Sequence, residues 1–102
     1  MSERAELKRI GAKPQKNSGR GRIQKGDGTL PGYVVDVKEY SKSFSISRDT
    51  WSKICMDAMK VDKEKEPVLY LVLGEQNKTR LAIIAWDEFE ELNRIRDLYN
   101  GN

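Results

Sequence analysis

Apolar and polar positions change their spacing several times along the chain, and each change predicts an element. Residues 2–10 alternate charge around Ala5, Leu7 and Ile10, a helical pattern with Ser2 available as N-cap and Gly11 as a stop. From Gly11 to Gly32 the chain adds Gly19, Gly21, Gly26, Gly28, Gly32, Pro14 and Pro31. That content predicts a loop with at most one short extended piece around Gly28–Leu30. Tyr33-Val34-Val35-Asp36-Val37-Lys38, bounded by Pro31-Gly32, is β-branched and aromatic enough to predict a strand. Ser43-Phe44-Ser45-Ile46-Ser47 alternates polar and apolar and predicts the next strand, joined to the first as a hairpin through a turn at Glu39–Lys42.

The spacing then lengthens. Ser47 or Asp49 can cap a helix reaching about Val61, with Trp51, Ile54, Cys55, Ala58 and Met59 on its core face. Pro67 introduces Val68-Leu69-Tyr70-Leu71-Val72-Leu73, apolar enough for a central buried strand. A polar turn at Gly74–Thr79 leads into a strand at Arg80–Ala85, and Asp87 can cap a last helix carrying Phe89, Leu92, Ile95 and Leu98. The expected order is αβββαββα: an α/β fold, a mixed β-sheet flanked by helices, without internal repeat. At 102 residues this is one domain, residues 1–102.

Composition narrows the chemistry. The chain contains no histidine and one cysteine, Cys55. Ser-His-Asp and Cys-His catalysis are therefore excluded, and a zinc site is disfavoured. Cys55, on a helical segment, reads as a small buried apolar residue. No apolar run approaches the roughly 18 residues of a membrane span, and no basic-then-apolar leader opens the chain, so the expectation is a cytoplasmic, intracellular protein with no membrane partner. The net charge of +3 is unevenly distributed: residues 1–42 hold ten Lys/Arg against five Asp/Glu, and residues 43–102 hold nine against eleven. Between Leu7 and Gly26 there are seven basic residues (Lys8, Arg9, Lys13, Lys16, Arg20, Arg22, Lys25) and no acidic one, a local field that attracts a polyanion such as DNA. A solvated basic loop is the plainer alternative. Gly19-Arg20-Gly21 has no strand before it and no third glycine at the spacing of a dinucleotide-binding turn.

Asp36 interrupts a run of valines. Strand alternation puts it on one face with Val34 and Lys38, and puts Val35 and Val37 on the other. A structural ion pair would account for Asp36 and Lys38 alone. Asp27 adds a second carboxylate, nine residues upstream between Gly26 and Gly28, which a returning strand could bring against Asp36. Two carboxylates in one small site repel unless a divalent cation lies between them, and oxygen donors suit Mg²⁺ or Mn²⁺.

Asp27, eight residues, then Asp36-Val37-Lys38 resembles the Asp…(Asp/Glu)-x-Lys signature of the PD-(D/E)XK nuclease superfamily. Glu3-Arg4 on the first helix, Asn17-Ser18-Gly19 before Lys25-Gly26-Asp27, and Lys42-Ser43-Phe44-Ser45-Ile46 extend the resemblance to small phage and prophage nucleases related to archaeal Holliday-junction resolvases. It departs from them in lacking a proline before Asp27 and in having Asp36 where glutamate is frequent. The resemblance implies a restriction-endonuclease-like fold and a metal held by Asp27, Asp36 and the Val37 carbonyl. It further implies Lys38 as the catalytic cation, and Glu3 as the helix carboxylate with Glu6 as the alternative. Arg4, Arg9, Lys16, Ser18, Arg20, Arg22 and Lys25 would contact DNA. The expected activity is Mg²⁺-dependent, structure-selective endodeoxyribonuclease action on branched DNA, as a Holliday-junction resolvase working in a homodimer, with a phage origin in a bacterial host. A nicking or repair nuclease of the same superfamily and a non-catalytic nucleic-acid-binding module are the competing readings.

Overall fold

The structure, a computed structural model of the 102-residue chain, describes the backbone of residues 3–17 and 22–101 and the side chains of residues 3–13 and 28–101. Its elements are α1 (Glu3–Arg9), β1 (Lys13–Asn17), β2 (Arg22–Leu30), β3 (Tyr33–Tyr40), α2 (Arg48–Val61), β4 (Glu66–Leu73), β5 (Thr79–Ile83) and α3 (Trp86–Tyr99). They make a mixed α/β fold around a five-stranded sheet in the order β1-β2-β3-β4-β5. β3 and β4 are parallel, joined by the α2 crossover, and the other neighbours are antiparallel.

The order αβββαββα recurs, but two of its strands differ from those expected. The segment expected to be largely loop contains β1 and a β2 that extends well before the short piece expected around Gly28–Leu30. These strands carry few apolar residues, and their ladder is held by backbone pairing, Lys13 with Thr29 and Lys16 with Ile23. Ser43–Ser47 is not a strand. β2 and β4 already occupy both sides of β3 at Tyr33–Asp36, so the expected 33–38/43–47 hairpin has no place to form. Phe44 instead stacks on Tyr40 with ring centroids 5.1 Å apart and packs against the core under α2.

The alternation of β3 divides the core. Val35 and Val37 join Leu7 and Ala12 beneath α1. On the opposite face Ile54 of α2 packs on Leu69 and Leu71, with Phe44, Trp51, Leu73 and Ile83 around them. α2 begins where its sequence predicts, with Ser47 Oγ accepting from Thr50 N at 3.1 Å, and buries Ile54 and Ala58, although Met59 is 62% exposed. Asp87 lies inside the first turn of α3, whose N-cap is Ala85 without a side-chain hydrogen bond. Gly32, at φ 84°, supplies the positive φ that the two-residue Pro31-Gly32 connection between β2 and β3 requires. Among the described residues no helix is long and apolar enough to cross a membrane.

Candidate active site

The β2–β3 hairpin sets the register of the site. Its pairs run from Leu30–Tyr33 to Asp27–Asp36, so the two aspartates lie directly opposite each other. Pairs alternate between hydrogen-bonded and close non-bonded types. Counted from the two-residue connection, Asp27–Asp36 is of the close type, with Cα atoms about 4.5 Å apart. Gly28 identifies the faces. A Cβ built there would meet Leu7 Cδ2 at 2.8 Å and the Lys13 carbonyl at 2.9 Å, so position 28 faces α1 and only glycine lets α1 and β1 come so near. Alternation then assigns position 27 to the opposite face, which Asp36 occupies. The Asp27 side chain itself lies outside the described residues.

Asp36 and Lys38 share that face, and Lys38 Nζ donates to Asp36 Oδ1 at 3.3 Å. The Asp36 side chain is 15% exposed and that of Lys38 30%. Burial pushes the Asp36 carboxyl above its ordinary value. The Lys38 charge and hydrogen bond oppose that rise, Asp57 adds to it, and Lys53 opposes it. A 230 Å³ pocket opens here, lined by Asp36, Lys38 and Phe44 and by Thr50, Lys53, Ile54 and Asp57 of α2. Lys53 donates to Asp57 Oδ2 at 3.3 Å, one turn along that helix. Sequence reasoning missed Thr50, Lys53 and Asp57. Their spacing of three and four residues around Ile54 is the available signal, because it puts them on the helix side that meets the sheet.

Among the described residues β3 has no registered β2 partner from Val37 to Tyr40, where it pairs with β4. Val37 thus carries its backbone polar groups toward the side that β2 has left, next to the aspartate pair. The first turn of α1 approaches the same stretch. Burial raises the pKa of Glu3; Lys38 lowers it, Asp36 and Glu39 raise it, and the Glu39 backbone lowers it. Glu6 is engaged elsewhere. It is buried on the α1 face, accepting from Tyr70 Oη at 2.7 Å and from Arg80 Nε and Nη2 at 3.1 and 3.2 Å. Of the two helix carboxylates, Glu3 is the one that feels the Asp36 and Lys38 charges, and it is hydrogen-bonded to the Glu39 backbone.

Arg4 and Arg9 are exposed on α1. Lys16 lies on β1 and Arg22 and Lys25 on β2, with their side chains outside the described residues, as Ser18 and Arg20 are entirely. Cys55 is half-buried, and burial raises its thiol pKa, which leaves it in the unreactive protonated form. Among the described residues no three acidic or thiol side chains converge on one point. At the open end of the hairpin the described donors are the Asp36 carboxylate and the Val37 backbone, oxygen groups of the kind that hard dications take. Asp36 is a half-buried carboxylate whose desolvation outweighs the Lys38 and Lys53 charges near it, and its register partner is a second aspartate. No protein-family model matches the chain, and neither curated proteins nor solved structures offer a significant match.

Proposed function

We propose that this chain is a metal-dependent, structure-selective endodeoxyribonuclease of the PD-(D/E)XK type that hydrolyses phosphodiesters in branched DNA, four-way junctions foremost. One observation carries the reading: β2 and β3 pair Asp27 with Asp36, and Lys38 lies two residues on, with its ammonium 3.3 Å from Asp36. A structural ion pair needs only Asp36 and Lys38, and it gives no reason for a second aspartate directly across the ladder.

Asp27, Asp36 and the Val37 carbonyl would hold Mg²⁺ or Mn²⁺, with Glu3 completing or orienting the shell. The cation would supply Lewis acidity toward the scissile phosphate. Lys38 would orient the attacking water or offset the charge that develops on the phosphate. Arg20, Arg22 and Lys25, with Lys16, Arg4 and Arg9, would neutralise flanking phosphates, and Ser18 would add a hydrogen bond. The two aspartates should approach within about 3–5 Å, since Mg–O distances are about 2.1 Å.

The test is incubation of the purified chain with labelled four-way junction, flap and linear duplex DNA, in Mg²⁺ and then in chelator. Cleavage that prefers the junction and stops with chelator supports the reading. Junction binding without cleavage in Mg²⁺ or Mn²⁺ would leave a nucleic-acid-binding module. Replacing Arg20 and Arg22 by alanine should flatten the salt dependence of DNA binding by roughly one unit of slope per lost phosphate contact. An unchanged slope moves the DNA surface elsewhere.

A further inference from the structure

None of the 14 residues of α3 is buried. Its first turn is tied to the sheet by Tyr33, whose hydroxyl donates to Glu88, which raises the tyrosine pKa to about 12. From Phe89 to Tyr99 every residue is exposed. Phe89, Leu92, Ile95 and Tyr99 recur at three- and four-residue steps and so occupy one side of the helix. They are 47, 41, 40 and 89% exposed. Trp86 leans on Phe89 with ring centroids 5.1 Å apart and extends the apolar face at its N-terminal end. A helix of this length is marginal in water by itself, because so few turns barely repay nucleation; packing on another surface is what normally sustains it.

We infer that the surface is α3 of a second copy of this chain, packed antiparallel about a two-fold axis near Leu92 and Asn93. The charges along the helix favour that occupant and that direction. Residues 86–92 hold Asp87, Glu88, Glu90 and Glu91 and no basic residue, whereas residues 93–99 hold Arg94 and Arg96 against Asp97. Parallel packing would set four carboxylates against four. Antiparallel packing sets the acidic half of each helix against the arginine-bearing half of the other, and it also opposes the helix dipoles. The area is on the right scale. Trp86, Phe89 and Tyr99 are 47–89% exposed, and aromatic side chains each carry roughly 150–250 Å². With Leu92 and Ile95 each chain offers several hundred Å² of apolar surface, comparable with the about 800 Å² per partner of a standard interface. A two-fold contact of this kind is self-complementary and closes at two subunits.

The interface does not depend on the nuclease reading, because it is read as a mass without DNA or metal. Sedimentation or light scattering over a dilution series should give about twice the 11.7 kDa chain mass. Leu92→Glu should give the monomer mass with the sheet still folded and a melting temperature that no longer depends on concentration, since Leu92 is exposed. In a Cys55→Ser background, Leu92→Cys should cross-link to itself on oxidation, and Phe89→Cys, displaced from the axis, should not. A monomeric wild-type chain, or a dimer that survives Leu92→Glu, overturns the interface. Cross-linking through Phe89→Cys in preference to Leu92→Cys overturns the antiparallel arrangement.

Discussion

Glu6 and Asp36 lie on opposite faces of one sheet, both nearly withdrawn from water, at 8% and 15% side-chain exposure. Their surroundings treat them in opposite ways. Glu6 takes two hydrogen bonds from the Arg80 guanidinium and one from Tyr70, and the Arg80 bonds chiefly hold its carboxyl below the usual 4.5. Asp36 has one contact of 3.3 Å with Lys38, and burial holds it above the usual 3.8. At Glu6 the hydrogen bonds outweigh desolvation, and at Asp36 desolvation outweighs the ammonium. A charge that pins α1 to the sheet is held ionised by its donors. A charge kept ionisable against its own desolvation is the pattern expected where a ligand is to supply the missing interaction.

The largest expected effect lies on the Asp36 face. Lys38→Met should lower cleavage by about 10²–10³-fold, the usual consequence of removing one preorganised group that meets developing charge. Junction affinity should change little, while the melting temperature at neutral pH should fall modestly because Asp36 loses its cationic partner. A variant that cleaves at the wild-type rate would make the Asp36–Lys38 pair an ordinary surface feature.

On the Glu6 face the effect is on folding. Glu6→Gln should cost about 2 kcal/mol near neutral pH, in the range of charge-assisted hydrogen bonds, and leave cleavage per folded molecule unchanged. Because the folded pKa of Glu6 is lowered, its stabilisation is complete above the ordinary 4.5 and is lost as pH falls through the folded value. The difference in melting temperature between Glu6→Gln and wild type should therefore shrink on acidification. Asp36 runs the other way. Its folded pKa is raised, so its contribution is full below the ordinary 3.8 and is lost as pH rises through the folded value. A melting series from acid to neutral pH on Glu6→Gln and Asp36→Asn reads the two signs directly; equal pH trends would dissolve the contrast between the faces.

Gly28→Ala sharpens the comparison from the backbone. The added methyl would lie 2.8 Å from Leu7 Cδ2 and 2.9 Å from the Lys13 carbonyl. Overpacking of this kind costs about 1–3 kcal/mol. The loss should appear in chemical denaturation, with α1 and β1 displaced from β2. An unperturbed Gly28→Ala protein would mean that position 28 does not face α1, and the face assigned to position 27 would fall with it.

The contrast between Glu6 and Asp36 also marks what the chain discloses before it is folded. The Val34-Asp36-Lys38 face, the Ser47-capped α2 and the apolar run of β4 are written in local periodicity, and they appear where that periodicity puts them. β1 and β2 are legible only at Gly28–Leu30, because glycines, a proline and lysines occupy strands held by backbone pairing. Phe44 and Ile46 mislead for the complementary reason: two apolar residues two apart look like a strand, yet Phe44 is a plug beneath α2. Glu3 and Glu6 are equivalent helix glutamates in sequence. What separates them is Tyr70 and Arg80, 64 and 74 residues from Glu6, partners that only the folded sheet brings near. Asp57 and Lys53 flank Ile54 on the side of α2 that meets the sheet, but which strand residues that side overlooks is set only by the fold.

Asp36→Asn tests the central claim most directly, read simultaneously by cleavage, gel shift and thermal melting. The amide keeps the size and one oxygen of the carboxylate but removes the charge that would hold a cation. Cleavage of four-way junctions should disappear while junction binding persists, and without metal the melting temperature at neutral pH should rise or stay level, because a desolvated charge opposite Asp27 has been removed. Cleavage at the wild-type rate, or loss of binding together with a marked drop in melting temperature, would contradict the account and make Asp36 and Lys38 a structural pair.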